Sequence, residues 1–227
     1  MSQHRELLPV LVSLLVSVAL GIAAPPDARA QEEPSDELVL TLYGGLARPF
    51  ETDVTQITST STVTFRDVRA ERSAEFGIRF GHWPAGLATE SGIEFGAELE
   101  VGRFRPDYGT PTLTATIGAL NVLARWPARV SPASRTGGAL YLYFGPGVGF
   151  ERVHGRTDSG SSDTNTNVLV QALAGLHLFL TRDVSVFTEY KLSYAKHSLT
   201  FATSGGPVTD RTTLLVGHGL AGVAFHF

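Results

Sequence analysis

Eight charged residues fall at alternate positions within otherwise apolar or Gly-rich segments: Glu75, Arg79, Glu94, Glu98, Glu100, Arg125, Glu189 and Lys191. Charges so placed can do two kinds of work. Packed together they form a network of ion pairs and hydrogen bonds, because a buried charge must be paired. Lining water, they form a gated or proton-linked pore. The five carboxylates outnumber the three cations, which leaves a carboxyl to be protonated or solvated and makes room for some internal water. The plug is the simpler reading, and the pore is its alternative.

Other chemistries find less support. Lys196-His197-Ser198 holds the one His–Ser neighbour pair of the sequence. Proton transfer from Ser to His needs both side chains on one face, whereas adjacent residues of a strand point to opposite faces. His177, His218 and His226 can all face the same interior, but His177 lies two strands from the others and no local spacing supports zinc. Neither a metal nor a cofactor is expected. The Gly-rich YFGPGVGF (Tyr143 to Phe150) lacks the Lys and following helix of a phosphate loop. Its glycines are expected to leave space for Tyr141, Tyr143 or Arg side chains from across a lumen.

The elements that position these residues read as strands. Of 227 residues none is Cys and the formal net charge is −4. Arg5, an apolar run from Leu7 to Ala24 and the small-x-small site Ala28-Arg29-Ala30 have the layout of a secretory signal peptide over residues 1–30. That apolar run is shorter than the roughly 20 residues a spanning helix needs. Residues 1–30 hold two basic and two acidic side chains, so their removal leaves −4. This balance, without a basic block, argues against a nucleic-acid partner. An exported chain without Cys must hold by packing and hydrogen bonding alone.

After an acidic leader (31–37), period-2 segments are expected at 38–47, 72–83, 92–104, 113–126, 139–151, 168–180, 184–196 and 212–227. The Thr-rich run from Thr55 could start the second strand as early as Thr60. Connections 48–71, 105–112, 152–167 and 197–211 are longer and polar; 84–91, 127–138 and 181–183 are mostly shorter. Splitting each segment by parity gives one continuous apolar face, free of charge until Arg103 at its rim. The eight charged residues fall on the other face, among Gly and small residues. Aromatics on the apolar face gather toward segment ends at Trp126, Tyr194, Phe225 and Phe227, where interfacial girdles sit. With long loops at one end and an export signal, this pattern points to lipid outside rather than a soluble barrel. In hydrocarbon no sheet edge can stay open, so the first and last segments must pair. The expected fold is all-β: an eight-stranded antiparallel up-and-down transmembrane barrel over residues 38–227, too narrow for a wide channel.

GIRFGHWP followed by SGIEFGAELE, LNVLARWP, YLYFGPGVGF, FTEYKLSY and the terminal Phe227 fall in the order found in small bacterial outer-membrane barrels. The chain resembles the OmpA/OmpX/opacity-porin-like group over nearly all of its mature length. The resemblance implies an integral protein of the cell outer membrane with both termini in the periplasm. Its partners would be outer-membrane lipids, including lipopolysaccharide, and the barrel assembly machinery, which reads Phe225 and Phe227 as a C-terminal signal. The expected role is structural or surface interaction, with an extracellular ligand met through 48–71 and 152–167. A narrow porin-like channel is the alternative. A lipid A-modifying enzyme is third, because the deacylases of this shape use His-x-Ser, which His197-Ser198 is not. Ending at Phe227, the chain is not expected to carry a cell-wall tether.

Overall fold

The computed structural model describes residues 36–89, 92–106, 112–129 and 138–227. The expected signal peptide lies outside the described residues, as do positions 31–35 of the leader and parts of the 84–91, 105–112 and 127–138 connections. Among the described residues ten strands follow one another: β1 (Glu37–Pro49), β2 (Thr52–Ile57), β3 (Thr62–Val68), β4 (Ser73–Trp83), β5 (Glu94–Phe104), β6 (Thr112–Arg129), β7 (Leu140–Arg156), β8 (Ser162–Phe179), β9 (Val184–Thr203) and β10 (Gly206–His226). Eight of them form the expected ring, in the order β1-β4-β5-β6-β7-β8-β9-β10, with β10 returning to β1. The closing register runs from Val39 opposite His226 to Pro49 opposite Val216.

The remaining two strands correct the reading of 48–71 as a loop. β2 and β3 form a hairpin that continues the sheet beyond the barrel, with Val54–Ile57 of β2 paired to Thr209–Thr212 of β10. The Thr-rich run is therefore the tip of this hairpin, from the end of β2 to the start of β3, and not an early start of β4. Asp67, at φ 54°, breaks the extended backbone of β3 close to its end.

Residues 152–167 and 197–211 are also strand rather than loop. β7 and β8 pair up to Arg156 and Ser162, and β9 and β10 up to Thr203 and Gly206. Their outward faces are polar and their inward apolar residues (Val153, Leu199, Phe201) are few, so the alternation that announces them is short. Cross-strand side chains take over that work: His154 Nδ1 lies 2.9 Å from Thr164 Oγ1, and the Thr200 and Thr209 hydroxyls are 2.9 Å apart. Gly160 (φ 87°) and Gly206 (φ 107°) supply the left-handed backbone at the two hairpin tips. At about 3.3 Å per residue, strands of 17 to 21 residues extend well past an apolar band of about 25 Å.

Side chains divide strictly by parity. Leu99 (61% exposed), Phe76, Phe80, Val122, Phe150 and Val168 face outward as an apolar belt. The inward set is layered along the axis. Toward the termini it is charged and aromatic. Toward the loop end it is mostly apolar, with Phe104, Ile117, Leu169, Leu214 and Val216 all but fully buried around Glu151 and His197.

Candidate functional site

The interior charges are positioned by strands whose alternate residues point inward, and the register decides who meets whom. Glu98 and Glu100 of β5 face inward beside Gly81 and Arg79 of β4. Asn121 of β6 stands opposite Glu98, Gly147 and Gln171 continue that row on β7 and β8, and Glu189 and Lys191 come from β9.

Glu100 is the hub. Its Oε1 accepts hydrogen bonds from Lys191 Nζ at 2.7 Å, Tyr43 Oη at 2.7 Å and Arg79 Nη2 at 3.4 Å. Its Oε2 accepts from Gln171 Nε2 at 2.7 Å and Asn121 Nδ2 at 3.1 Å. Lys191 also donates to Glu75 Oε1 at 3.0 Å. Arg79 forks onto Glu189 through two bonds of 2.8 and 2.6 Å, and Tyr143 Oη donates to the same carboxylate at 2.9 Å. This bidentate geometry is the strong form of an Arg–carboxylate pair.

A second cluster lies nearer the termini. Arg125 Nε donates to Glu94 at 2.7 Å, while both of its Nη groups reach Glu37. Its guanidinium lies 4.1 Å from the centre of the Trp83 ring, a cation–π contact in a dry setting. The structure thus brings Glu75, Arg79, Glu100, Glu189 and Lys191 into one network and Glu94 with Arg125 into another. Glu98 stands between them, 3.9 Å from Arg79 Nη1, with its Oε2 accepting no hydrogen bond.

Several interior residues are absent from the sequence-derived set. Glu37, expected in the leader, opens β1 and faces inward. Three interior histidines face carboxylates: His218 Nδ1 bonds to Glu75 and His226 Nδ1 to Glu37, while His197 lies 3.4 Å from Glu151 without a hydrogen bond. Ser193 and Ser185 hold the other nitrogens of His218 and His226 at 2.8 and 2.7 Å. The surplus of carboxylates therefore faces imidazoles as well as cations. Inward parity was the available signal for His218 and His226; their partners came from strands far away in sequence. Among the described residues no group of His, Cys, Asp and Glu could hold a metal.

The glycines of β7 do not make room for tyrosines. Gly147 faces the side chains of Asn121 and Gln171, whereas Gly145 and Gly149 lie against the backbone of β6. The space for Tyr43 is made by Gly77 and Gly102, that for Tyr143 by Gly175, and that for the Trp83 ring by Gly96. His197 is buried while Ser198, its neighbour, lies on the other face.

On the outer surface Trp126 packs edge-on against Phe144 at 5.4 Å. Tyr194 sits in mid-strand rather than at a strand end, because β9 continues to Thr203. Phe225 and Phe227 face outward at the seam, and His226 between them faces inward.

No protein-family model matches the chain, and no curated protein matches it. Solved structures do. The outer membrane protein OprG from Pseudomonas aeruginosa is similar over 88% of this chain and 99% of its own, at 11% identity and a TM-score of 0.60. Neisserial surface protein A (NspA) is similar over 84% of this chain and 97% of its own, at 12% identity and a TM-score of 0.51. The chain has the fold of the small outer-membrane β-barrels.

Proposed function

We propose that the protein is an integral outer-membrane barrel whose interior is a plug and whose role lies on its outside, as a structural or surface-interaction protein. The observation that carries this reading is the layered interior. Paired charges fill the half toward the termini, and Phe104, Ile117, Leu169 and Leu214, all under 2% exposed, pack the half toward the loops around one buried carboxylate, Glu151, that faces His197. Close packing of this kind, with that carboxylate already facing an imidazole, leaves a hydrated ion little to take in exchange for its water. The outward belt of Phe, Leu and Val is what a hydrocarbon surround requires.

In this reading the termini lie in the periplasm, beside the tight turn at Thr181–Asp183, and the projecting hairpins of β2–β3, β7–β8 and β9–β10 face outward from the cell. Outer-membrane lipids and the barrel assembly machinery are its partners, with Phe225 and Phe227 as the assembly signal. Any extracellular ligand would be met by the segments 48–71 and 152–167.

A narrow channel is the second reading. It rests on Glu98, whose carboxylate borders a small interior cavity together with Arg79, Arg125, Tyr143 and His177. Conductance in planar bilayers separates the two. The plug requires silence from wild type and from Glu98→Ala, each shown to be inserted by its heat-modifiable gel migration. Steady single-channel currents from wild type that change with Glu98→Ala would establish the channel instead.

A further inference from the structure

On the outward faces of β5 to β8 the first charges on the loop side stand where the apolar belt ends. Arg103 of β5 stands directly opposite Thr116 of β6, and Thr116 directly opposite Arg152 of β7. All three are outward-facing and exposed. One step toward the membrane the register sets Val101 opposite Gly118, and Gly118 opposite Phe150. Nothing lies within 4 Å of the position a Cβ would take on Gly118. A notch therefore runs between Val101 and Phe150, which are 55% and 62% exposed, directly beneath the Arg–Thr–Arg row.

We infer that this row and notch form a binding site for a phosphate-bearing acyl lipid of the leaflet at the loop end. The inference rests on the membrane-barrel reading above. Adjacent strands lie about 4.8 Å apart, so Arg103 and Arg152 flank Thr116 at roughly twice that spacing, a span that two guanidinium groups close on one phosphate. The Thr116 hydroxyl lies between them as a further donor. An acyl chain descending from the same headgroup enters the notch at Gly118 and lies against Val101 and Phe150.

Charge supports an anionic headgroup. The outward faces of β5, β6, β7 and β8 carry no Asp or Glu, and neither Arg103 nor Arg152 has an ion-pair partner among the described residues. Arg105, Arg156 and His154 continue the basic character above the row. At the opposite boundary of the belt the outward residues are aromatic and aliphatic instead, namely Phe95, Trp126 and Leu178.

The test uses the barrel folded into phosphatidylcholine bilayers doped with bisphosphorylated lipid A or with its dephosphorylated form. The lipid retained after mild detergent extraction is counted by native mass spectrometry. Wild type is expected to retain the phosphorylated lipid at least about tenfold better than the dephosphorylated one. Arg103→Gln/Arg152→Gln should abolish that preference. The charge-matched control Arg48→Gln/Lys196→Gln, on β1 and β9, should keep it. Gly118→Leu, which fills the notch, should weaken retention with the arginines intact. Equal retention of both lipids, or a preference that survives loss of both arginines, overturns the site while leaving the barrel reading in place. Failure to insert, read from the gel, overturns both.

Discussion

Leu38 and Phe227 exchange both of their backbone hydrogen bonds: Phe227 N–H donates to the Leu38 carbonyl at 2.9 Å, and Leu38 N–H to that of Phe227 at 3.2 Å. This pair is the last rung of the seam that closes the ring, and it comes from residues at opposite ends of the described chain.

Removing Phe227 deletes two backbone bonds and an exposed ring from a seam that retains the pairs from Val39–His226 onward. At about 1 kcal/mol net per bond, the assembled barrel should lose roughly 2 kcal/mol at most. If Phe227 is read during assembly, insertion in cells should fall far more than that loss explains. Pulse-chase trypsin protection alongside urea unfolding of the refolded protein measures both. A deletion that lowers stability and insertion in equal proportion would reduce Phe227 to a structural rung.

Glu100 serves five donors, two of them the buried cations Arg79 and Lys191. Replacing it with Leu keeps the bulk and leaves those donors short of acceptors. Breaking a buried pair by removing one partner costs about 3–5 kcal/mol, and Glu75 and Glu189 recover part of it by holding Lys191 and Arg79. The expected result is a urea midpoint shifted by a loss of at least about 3 kcal/mol. Glu94→Leu, at a side chain one-quarter exposed beside Arg125, should cost clearly less. Equal losses would place the hub elsewhere.

The membrane-facing fold was legible because its pattern is imposed by the solvent. Lipid demands apolar side chains at every outward position, so Phe95, Leu99 and Val101 on β5 announce a strand and its face together. Outside the bilayer that demand lapses, and the extensions 152–167 and 197–211 read as loops although their backbones are paired to the tips. The interior was legible in part. Parity identified Glu100 and Lys191 as inward, but that they touch depends on register and shear between β5 and β9, which no local spacing encodes. The same limit hid the partners of His218 and His226. Glu37 was missed for a different reason: an acidic residue preceding an apolar run looks like a leader until Arg125, 88 positions away, is placed opposite it.

Tyr43 reaches Glu100 by passing over two glycines on neighbouring strands, and a Cβ at Gly77 or Gly102 would meet its ring. Gly77→Val should therefore cost more than an outward substitution of similar volume, about 1–3 kcal/mol by overpacking. Tyr43→Ala in the same chain should recover part of that loss, since the ring in the way is gone. Denaturant midpoints for the two single variants and the double variant give the coupling. Strict additivity would mean that Gly77 is required by its backbone neighbours, the carbonyl of Val101 among them, and not by Tyr43.

The β2–β3 hairpin stands outside the ring. Every ring strand pairs on both sides within the barrel, whereas β2 pairs with β10 through Val54–Ile57 only and β3 pairs with β2 alone. Its hydrophobic side chains Val63 and Phe65 are about half exposed and join none of the buried clusters. Its removal therefore deletes neither a rung of the closing seam nor a residue of the interior network. A chain in which residues 52–68 are replaced by a short Gly-Ser turn should refold, show the heat-modifiable shift of wild type and lose no more than about 1–2 kcal/mol, the worth of a few exposed cross-strand pairs. Any contact made with a surface partner through 48–71 would be lost at the same time, so binding and folding come apart in one variant. If the shortened chain fails to close, β2 and β3 belong to the folding of β10 and the hairpin is part of the barrel after all.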